Sequence, residues 1–150
     1  MDCDGVLTDG RITLLPDGDE QKTFHVRDGQ GIVLCNKAGL KTGIISGRTS
    51  SATERRAREL GMTHLRQSAK DKVAALSEIL SEARLTESEC AFIGDDVGDI
   101  AIMQSVGLAI AVGDAAEEVK QIAHHTTTRC GGRGAVREAI DLILSVQHRA

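Results

Sequence analysis

The chain has 150 residues, a formal net charge of −4 and 41% hydrophobic residues, enough for one domain with a proper core. Phe24 and Phe92 are its only aromatics, with no Trp or Tyr. The core is therefore aliphatic, and the absence of stacking platforms together with the acidic balance argues against nucleic acid as a partner. The four cysteines, Cys3, Cys35, Cys90 and Cys130, are scattered without Cys-x-x-Cys spacing, so they read as reduced core thiols rather than a zinc site or a disulfide framework. No run approaches the roughly 18 apolar residues of a membrane span, and a cytoplasmic location without membrane contact is the expectation.

In chain order, Met1-Asp2-Cys3-Asp4-Gly5 comes first. Residues two apart can both reach one pocket where a strand ends and the chain turns. A central strand usually needs about five or six residues, so the strand that Asp2 would end is expected to begin upstream of residue 1. Ile12 to Leu15 and Gln21 to Val26, around Pro16-Asp17-Gly18-Asp19, predict a hairpin insert over about 11–26. From Gly31 the pattern predicts helices alternating with short strands. Ile32, Val33 and Cys35 fit a helix ended by Gly39, Thr42 to Ile45 a strand closed by Ser46-Gly47, and Ser50 to Leu60 an Arg-rich helix. Val73, Leu76, Ile79, Leu80 and Ala83 recur at helical spacing, which puts Lys72 near that helix's start. Cys90 to Ile93 reads as a strand running into Gly94-Asp95-Asp96, followed by a helix from Asp99 to Ser105. Leu108 to Val112 is a strand, Ala115 to Ala123 a helix, and a last helix follows Gly131-Gly132-Arg133-Gly134. Such alternation predicts an α/β fold, a Rossmann-like three-layer sandwich with a central parallel sheet, the hairpin protruding and no large cap. All 150 residues are expected to form a single domain.

In such sheets ligands bind beyond the carboxyl ends of the strands, where Asp2, Asp4, Ser46, Asp95, Asp96 and Asp99 fall. An Asp-x-Asp pair can divide the work of attack on phosphorus and proton handling. The three carboxylates of Asp95, Asp96 and Asp99 repel one another unless a cation offsets them. Ser46-Gly47 can equally be a helix cap, and Lys72 a solvated helix residue. The histidines show no metal spacing tied to the acidic cluster.

Together these residues resemble a haloacid dehalogenase superfamily phosphatase. Asp2-x-Asp4-Gly5-Val6 resembles its first motif, Ser46 its second, Lys72 its third and Gly94-Asp95-Asp96-x-x-Asp99 its fourth. More narrowly, Val26-Arg27-Asp28-Gly29-x-Gly31-Ile32, Ile45-Ser46-Gly47-Arg48 and Gly131-Gly132-Arg133-Gly134-Ala135-Val136-Arg137-Glu138 are similar to the capless 3-deoxy-D-manno-octulosonate 8-phosphate phosphatases. The resemblance implies Asp2 as nucleophile and Asp4 as general acid and base, with Ser46, Gly47 and Lys72 holding the phosphoryl oxygens. It implies Mg²⁺ bound by Asp2, the Asp4 backbone carbonyl and Asp95. Asp99 would orient Lys72 or a metal water from behind that shell, and Asp96 is open between ligand and supporting roles. It further implies a sugar acid phosphate as substrate, in a homotetramer whose hairpins cover neighbouring sites.

Arg48, Arg56 and Arg133 are the candidates for substrate binding. Relatives acting on nine-carbon sugar acid 9-phosphates tend to carry Glu at the Arg48 position, so Arg48 favours the eight-carbon compound. Two other readings are a catalytically silent oligomerisation module and a phospho-receiver domain. Intact motifs count against the first, and the Asp-x-Asp order counts against the second.

Overall fold

The computed structural model describes residues 1–147. Its first paired element is the hairpin, β1 (Thr13–Leu14) against β2 (Glu20–Gln21), antiparallel and short. Then α1 (Val26–Lys37), β3 (Gly43–Ile45), α2 (Ser51–Glu59), β4 (His64–Arg66) and α3 (Lys72–Ala83) alternate. They are followed by β5 (Ala91–Gly94), α4 (Ile100–Ser105), β6 (Leu108–Ala111), α5 (Glu117–Ile122), β7 (His125–Thr126) and α6 (Ala135–Gln147). The pairings β3–β4, β5–β6 and β6–β7 are all parallel. The expected α/β sandwich is present, and no cap domain interrupts the described residues.

Met1 and Asp2 lie between β3 and β5. The Met1 amine donates to the Gly43 carbonyl at 3.1 Å, the Ile45 amide to the Met1 carbonyl at 3.0 Å, and the Asp2 amide to the Ile93 carbonyl at 3.0 Å. The strands thus run β4, β3, Met1–Asp2, β5, β6, β7 across the molecule. On either side lies an aliphatic core in which Ile32, Ile44, Ile102, Ile110 and Val136 are fully buried beside the one core aromatic, Phe92.

Three elements depart from the sequence reading, one of them the two-residue strand β7, which it did not assign. The hairpin's second arm was expected to run to Val26, whereas α1 starts there with His25 as its N-cap. Two glycines inside this helix mask its period, and both serve close packing. A Cβ on Gly31 would stand 3.0 Å from Arg137 Cδ of α6, and one on Gly29 would meet the Arg56 side chain. The same helix carries Asp28, whose buried carboxylate accepts from the amides of Gly134 (3.1 Å) and Arg137 (2.8 Å). It therefore caps α6 from more than a hundred residues away in sequence, an interaction of about 1 kcal/mol in ordinary cases. The third departure is β4, which the sequence reading did not assign either. His64-Leu65-Arg66 offers a single apolar residue over three positions, too short a pattern to announce a strand, and it lies at the sheet's edge, half-buried throughout.

Candidate active site

The carboxyl ends of β3 and β5, with Asp2 between them, gather the acidic and phosphate-binding candidates on one rim. Asp2 is buried, and its Oδ1 lies 3.1 Å from Lys72 Nζ. Lys72 opens α3 behind the Asp71 cap, and its ammonium donates to Asp99 Oδ1 at 2.7 Å. Asp99 Oδ2 accepts from the Asp95 amide at 3.1 Å. Both Asp99 oxygens are thus engaged within the protein. Gly5, at φ +89°, lets the loop after Asp4 press on Asp95; a Cβ there would collide with the Asp95 carboxylate.

Asp2, Asp95 and Asp99 each offer an oxygen within 4.8 Å of the others. Among the described residues, Asp2 Oδ1, Asp4 Oδ2 and Asp95 Oδ1 are buried without a hydrogen bond. Buried, unpaired carboxylate oxygens are costly unless a cation meets them. An all-oxygen donor set suits a hard divalent ion such as Mg²⁺ or Ca²⁺ rather than zinc or copper. Both Asp99 oxygens are engaged, so Asp95 and, beside its Lys72 contact, Asp2 are the side chains left to hold it. Asp96 does not join them: it is exposed and turns back to accept from the Val97 amide at 2.8 Å, capping a short 3-10 turn.

Ser46 is buried at the end of β3, tied to β4 by its amide donating to the Arg66 carbonyl at 2.9 Å. Its hydroxyl accepts from the Arg48 amide at 3.3 Å, which shapes the turn through exposed Gly47. The helix expected from Ser50 to Leu60 is present as α2 and opens at Ser51, with Ser50 before it. The anion site here is therefore a turn rather than a helix end.

Of the three arginines, only Arg48 reaches the acidic loop. Its Nη2 lies 2.5 Å from Glu20 Oε2, and its Nε 3.6 Å from Asp4 Oδ2. Arg133 Nη2 approaches Asp9 at 4.0 Å from an exposed position. Arg56 has another task. Its guanidinium sits 5.8 Å from the Phe24 ring centre, abuts Gly29 of α1 and pairs with Glu59, so it fastens the hairpin's base to α2. Sequence reasoning missed Lys22 and Glu20, which bond to Asp4 and Arg48. A lysine and a glutamate in a polar hairpin give no signal of this without the fold.

A family model described as haloacid dehalogenase-like hydrolase matches residues 64–140. The 3-deoxy-D-manno-octulosonate 8-phosphate phosphatase KdsC of Yersinia pestis is 44% identical over 148 residues, covering 99% of this chain and 79% of that protein. This chain belongs to the haloacid dehalogenase-like hydrolases. Solved structures agree with the sequence relatives. A probable phosphatase of the YrbI family from Pseudomonas syringae superposes with a TM-score of 0.95 at 47% identity, over 97% of this chain and 83% of that one. The Moraxella catarrhalis 3-deoxy-D-manno-octulosonate 8-phosphate phosphatase, in complex with magnesium ion, phosphate ion and the sugar acid KDO, gives 0.94 at 40% identity, over 97% and 83%.

Electrostatics at the hydrolase's rim follow from its crowding. Burial, and then the charge of Asp99, push the Asp2 carboxyl up, with Lys72 opposing. Burial pulls the Lys72 ammonium down, but Asp2 and Asp99 outweigh it and the net direction is upward. Burial, and then the charges of Asp2, Asp99 and Asp96, push Asp95 up to about 7. Cys3, between the two front carboxylates, is held as a thiol: burial raises it to about 11 while its sulfur contacts Thr53 Oγ1 at 3.3 Å. It is a packing residue, not a nucleophile.

Proposed function

We propose that the chain is a Mg²⁺-dependent phosphomonoesterase that hydrolyses 3-deoxy-D-manno-octulosonate 8-phosphate to the free sugar acid and phosphate. The observation carrying this reading is the set of buried oxygens on Asp2, Asp4 and Asp95 without a well-formed hydrogen bond, with Lys72 Nζ 3.1 Å from the Asp2 oxygen. The names of the 44% identical Yersinia relative and of the Moraxella complex support the substrate.

Asp2 attacks phosphorus in line, forming an aspartyl-phosphate as the bond to the sugar oxygen breaks. Asp4 gives its proton to that departing oxygen and then takes one from the water that hydrolyses the intermediate. Lys72, the Ser46 hydroxyl and the turn at Gly47 hold the non-bridging oxygens as charge spreads over them. Asp99, bonded to Lys72 and to the Asp95 amide, fixes the direction of both. Asp2, the Asp4 backbone carbonyl and Asp95 would hold Mg²⁺, which when bound offsets the repulsion between an anionic nucleophile and an anionic phosphate. Arg48 and Arg133 are positioned on the loop side for the sugar acid's carboxylate.

The hairpin belongs to the same proposal. Ile12, Leu14 and Leu15 are 50%, 76% and 37% exposed, and a two-stranded ribbon is marginal unless it packs on something. A homotetramer in which each hairpin covers a neighbour's site accounts for that surface. No helix among the described residues is long and apolar enough to cross a membrane. All four cysteines are free thiols, and on that ground we place the enzyme in the reducing cytoplasm.

The test is phosphate release with Mg²⁺ from a panel holding the eight-carbon 8-phosphate and nine-carbon sugar acid 9-phosphates. Preference for the eight-carbon compound is expected. Preference for the nine-carbon compounds would keep the chemistry and overturn the substrate, and no turnover by the folded, Mg²⁺-loaded protein would leave an oligomerisation module.

A pH dependence follows from Asp95. Its folded carboxyl titrates near 7, above the ordinary value of 3.8, so the folded chain binds that proton more tightly than the unfolded one. Its stabilising contribution is full below about 4 and is lost as pH rises toward 7. Mg²⁺ competes with the same proton. The rise in Tm caused by Mg²⁺ is therefore expected to grow steadily from about pH 5.5 to about pH 8. Melting curves with Mg²⁺ or chelator across that range measure it; a Mg²⁺ effect flat with pH would remove Asp95 from the ligand set.

A further inference from the structure

Lys22 follows β2 between exposed Gln21 and Thr23, yet its own side chain is only 3% exposed. A nearly buried ammonium needs partners, and Lys22 has two: Asp4 Oδ1, to which it donates, and Glu20 Oε1 at 3.2 Å. Glu20 in turn holds Arg48 at 2.5 Å, and Arg48 stands 3.6 Å from the other oxygen of Asp4. Asp4, Lys22, Glu20 and Arg48 therefore close a ring of alternating charge. The ring joins the hairpin to the loop that carries Asp2 and Asp4.

The consequence for Asp4 is asymmetry. Lys22 occupies Oδ1, while Oδ2 stays buried without a hydrogen bond, facing an arginine that is itself anchored by Glu20. We infer that Lys22 is a positioning residue for proton transfer: it fixes Asp4 through Oδ1 so that Oδ2 meets the leaving oxygen, and Glu20 fixes Lys22. This rests on the phosphatase reading above and goes beyond it, since it gives the hairpin's base a part in the chemistry of its own subunit. In the step concerned the phosphorus–sugar oxygen bond breaks as Asp2 bonds to phosphorus, and the proton on Asp4 passes to the sugar oxygen. Water later returns a proton to Asp4 as it displaces Asp2, so the cycle balances.

The leaving group tests this. The ratio kcat/KM covers steps up to departure of the leaving group, and a p-nitrophenolate departs without a proton whereas a sugar alkoxide needs one. Lys22→Met is expected to lower kcat/KM about 100-fold for the sugar acid phosphate and less than about threefold for p-nitrophenyl phosphate. Lys22→Arg should recover part of the loss. In an Asp2→Asn background, adding Lys22→Met should leave the Kd of the sugar acid phosphate unchanged by calorimetry. Equal losses on both substrates would overturn the proposal in favour of a role in the fold or on the phosphoryl group. A Kd that weakens in step with kcat/KM would overturn it in favour of a substrate contact. Should Lys22→Met not fold, Glu20→Gln carries the same test with an expected selective loss of about tenfold, and an unselective loss overturns the proposal. Wild-type protein that turns over neither substrate would sink the phosphatase reading itself, and that result is distinct from all the others.

Discussion

Asp2→Asn is expected to abolish turnover, by on the order of 10⁴-fold or more, while raising the Tm of the metal-free protein. The two effects have one source. Asn keeps the shape of the side chain but cannot form the acyl phosphate. Asp2 is also an uncomfortable carboxylate, pushed up by burial and then by Asp99, so its charge weakens the fold at neutral pH. Removing that charge leaves Lys72 still bonded to Asp99 at 2.7 Å. Phosphate release and paired melting curves measure both quantities. A variant that loses activity together with stability would mean that Asp2 is needed for the fold and would leave its chemical role unsupported. The expected pattern, stability gained where activity is lost, is the general mark of a group kept in place for function.

Lys72→Met is expected to act in the opposite sense on the fold. The lysine is the one ammonium bonded to both Asp2 and Asp99, and removing one partner of a buried charge cluster costs about 3–5 kcal/mol. The loss should be largest near pH 8 and recede toward pH 5. Without the lysine the Asp2 carboxyl, already pushed up by burial, loses the charge that opposes the rise, and stability held by a raised carboxyl disappears as pH climbs through its folded value. Turnover should fall about 10²- to 10³-fold, because a charge facing the transferring phosphoryl group is gone. Mg²⁺ affinity, in contrast, should rise, since the site becomes more negative. Calorimetric titration of Mg²⁺ beside steady-state rates separates these. A lysine that served the fold alone would lower metal affinity and rate together.

The chemistry of the rim was legible in the sequence because each part sits at a punctuated boundary. Asp4-Gly5, Ser46-Gly47 and Gly94-Asp95-Asp96 place polar residues where short apolar runs stop, and Lys72 begins a clean helical period. Local order alone puts them at strand and helix ends. What the sequence hid depends on contacts across the fold. Lys22 and Glu20 look like solvated hairpin charges until the hairpin folds back on Asp4. Arg56 looks like a substrate residue because it lies two helical turns beyond Arg48, and only the fold brings Phe24 and Gly29 against it. Asp96 shares a run with Asp95 and Asp99, and a short 3-10 turn at Val97–Asp99 directs it outward. The start of α1 was masked by Gly29 and Gly31, whose missing side chains make room for α2 and α6 and at the same time erase the period that announces a helix.

The position of Met1 and Asp2 bears on how the molecule responds to its ligands. β3 and β4 form one block and β5, β6 and β7 another, and three hydrogen bonds at these two residues join them. Ser46 and Lys72 belong to the first block, Asp95 and Asp99 to the second. In the proposed site, a phosphate held by Ser46 and Lys72 with a cation on Asp95 would cross the boundary between these blocks as a removable staple, joining two sets of strands that otherwise meet at Asp2.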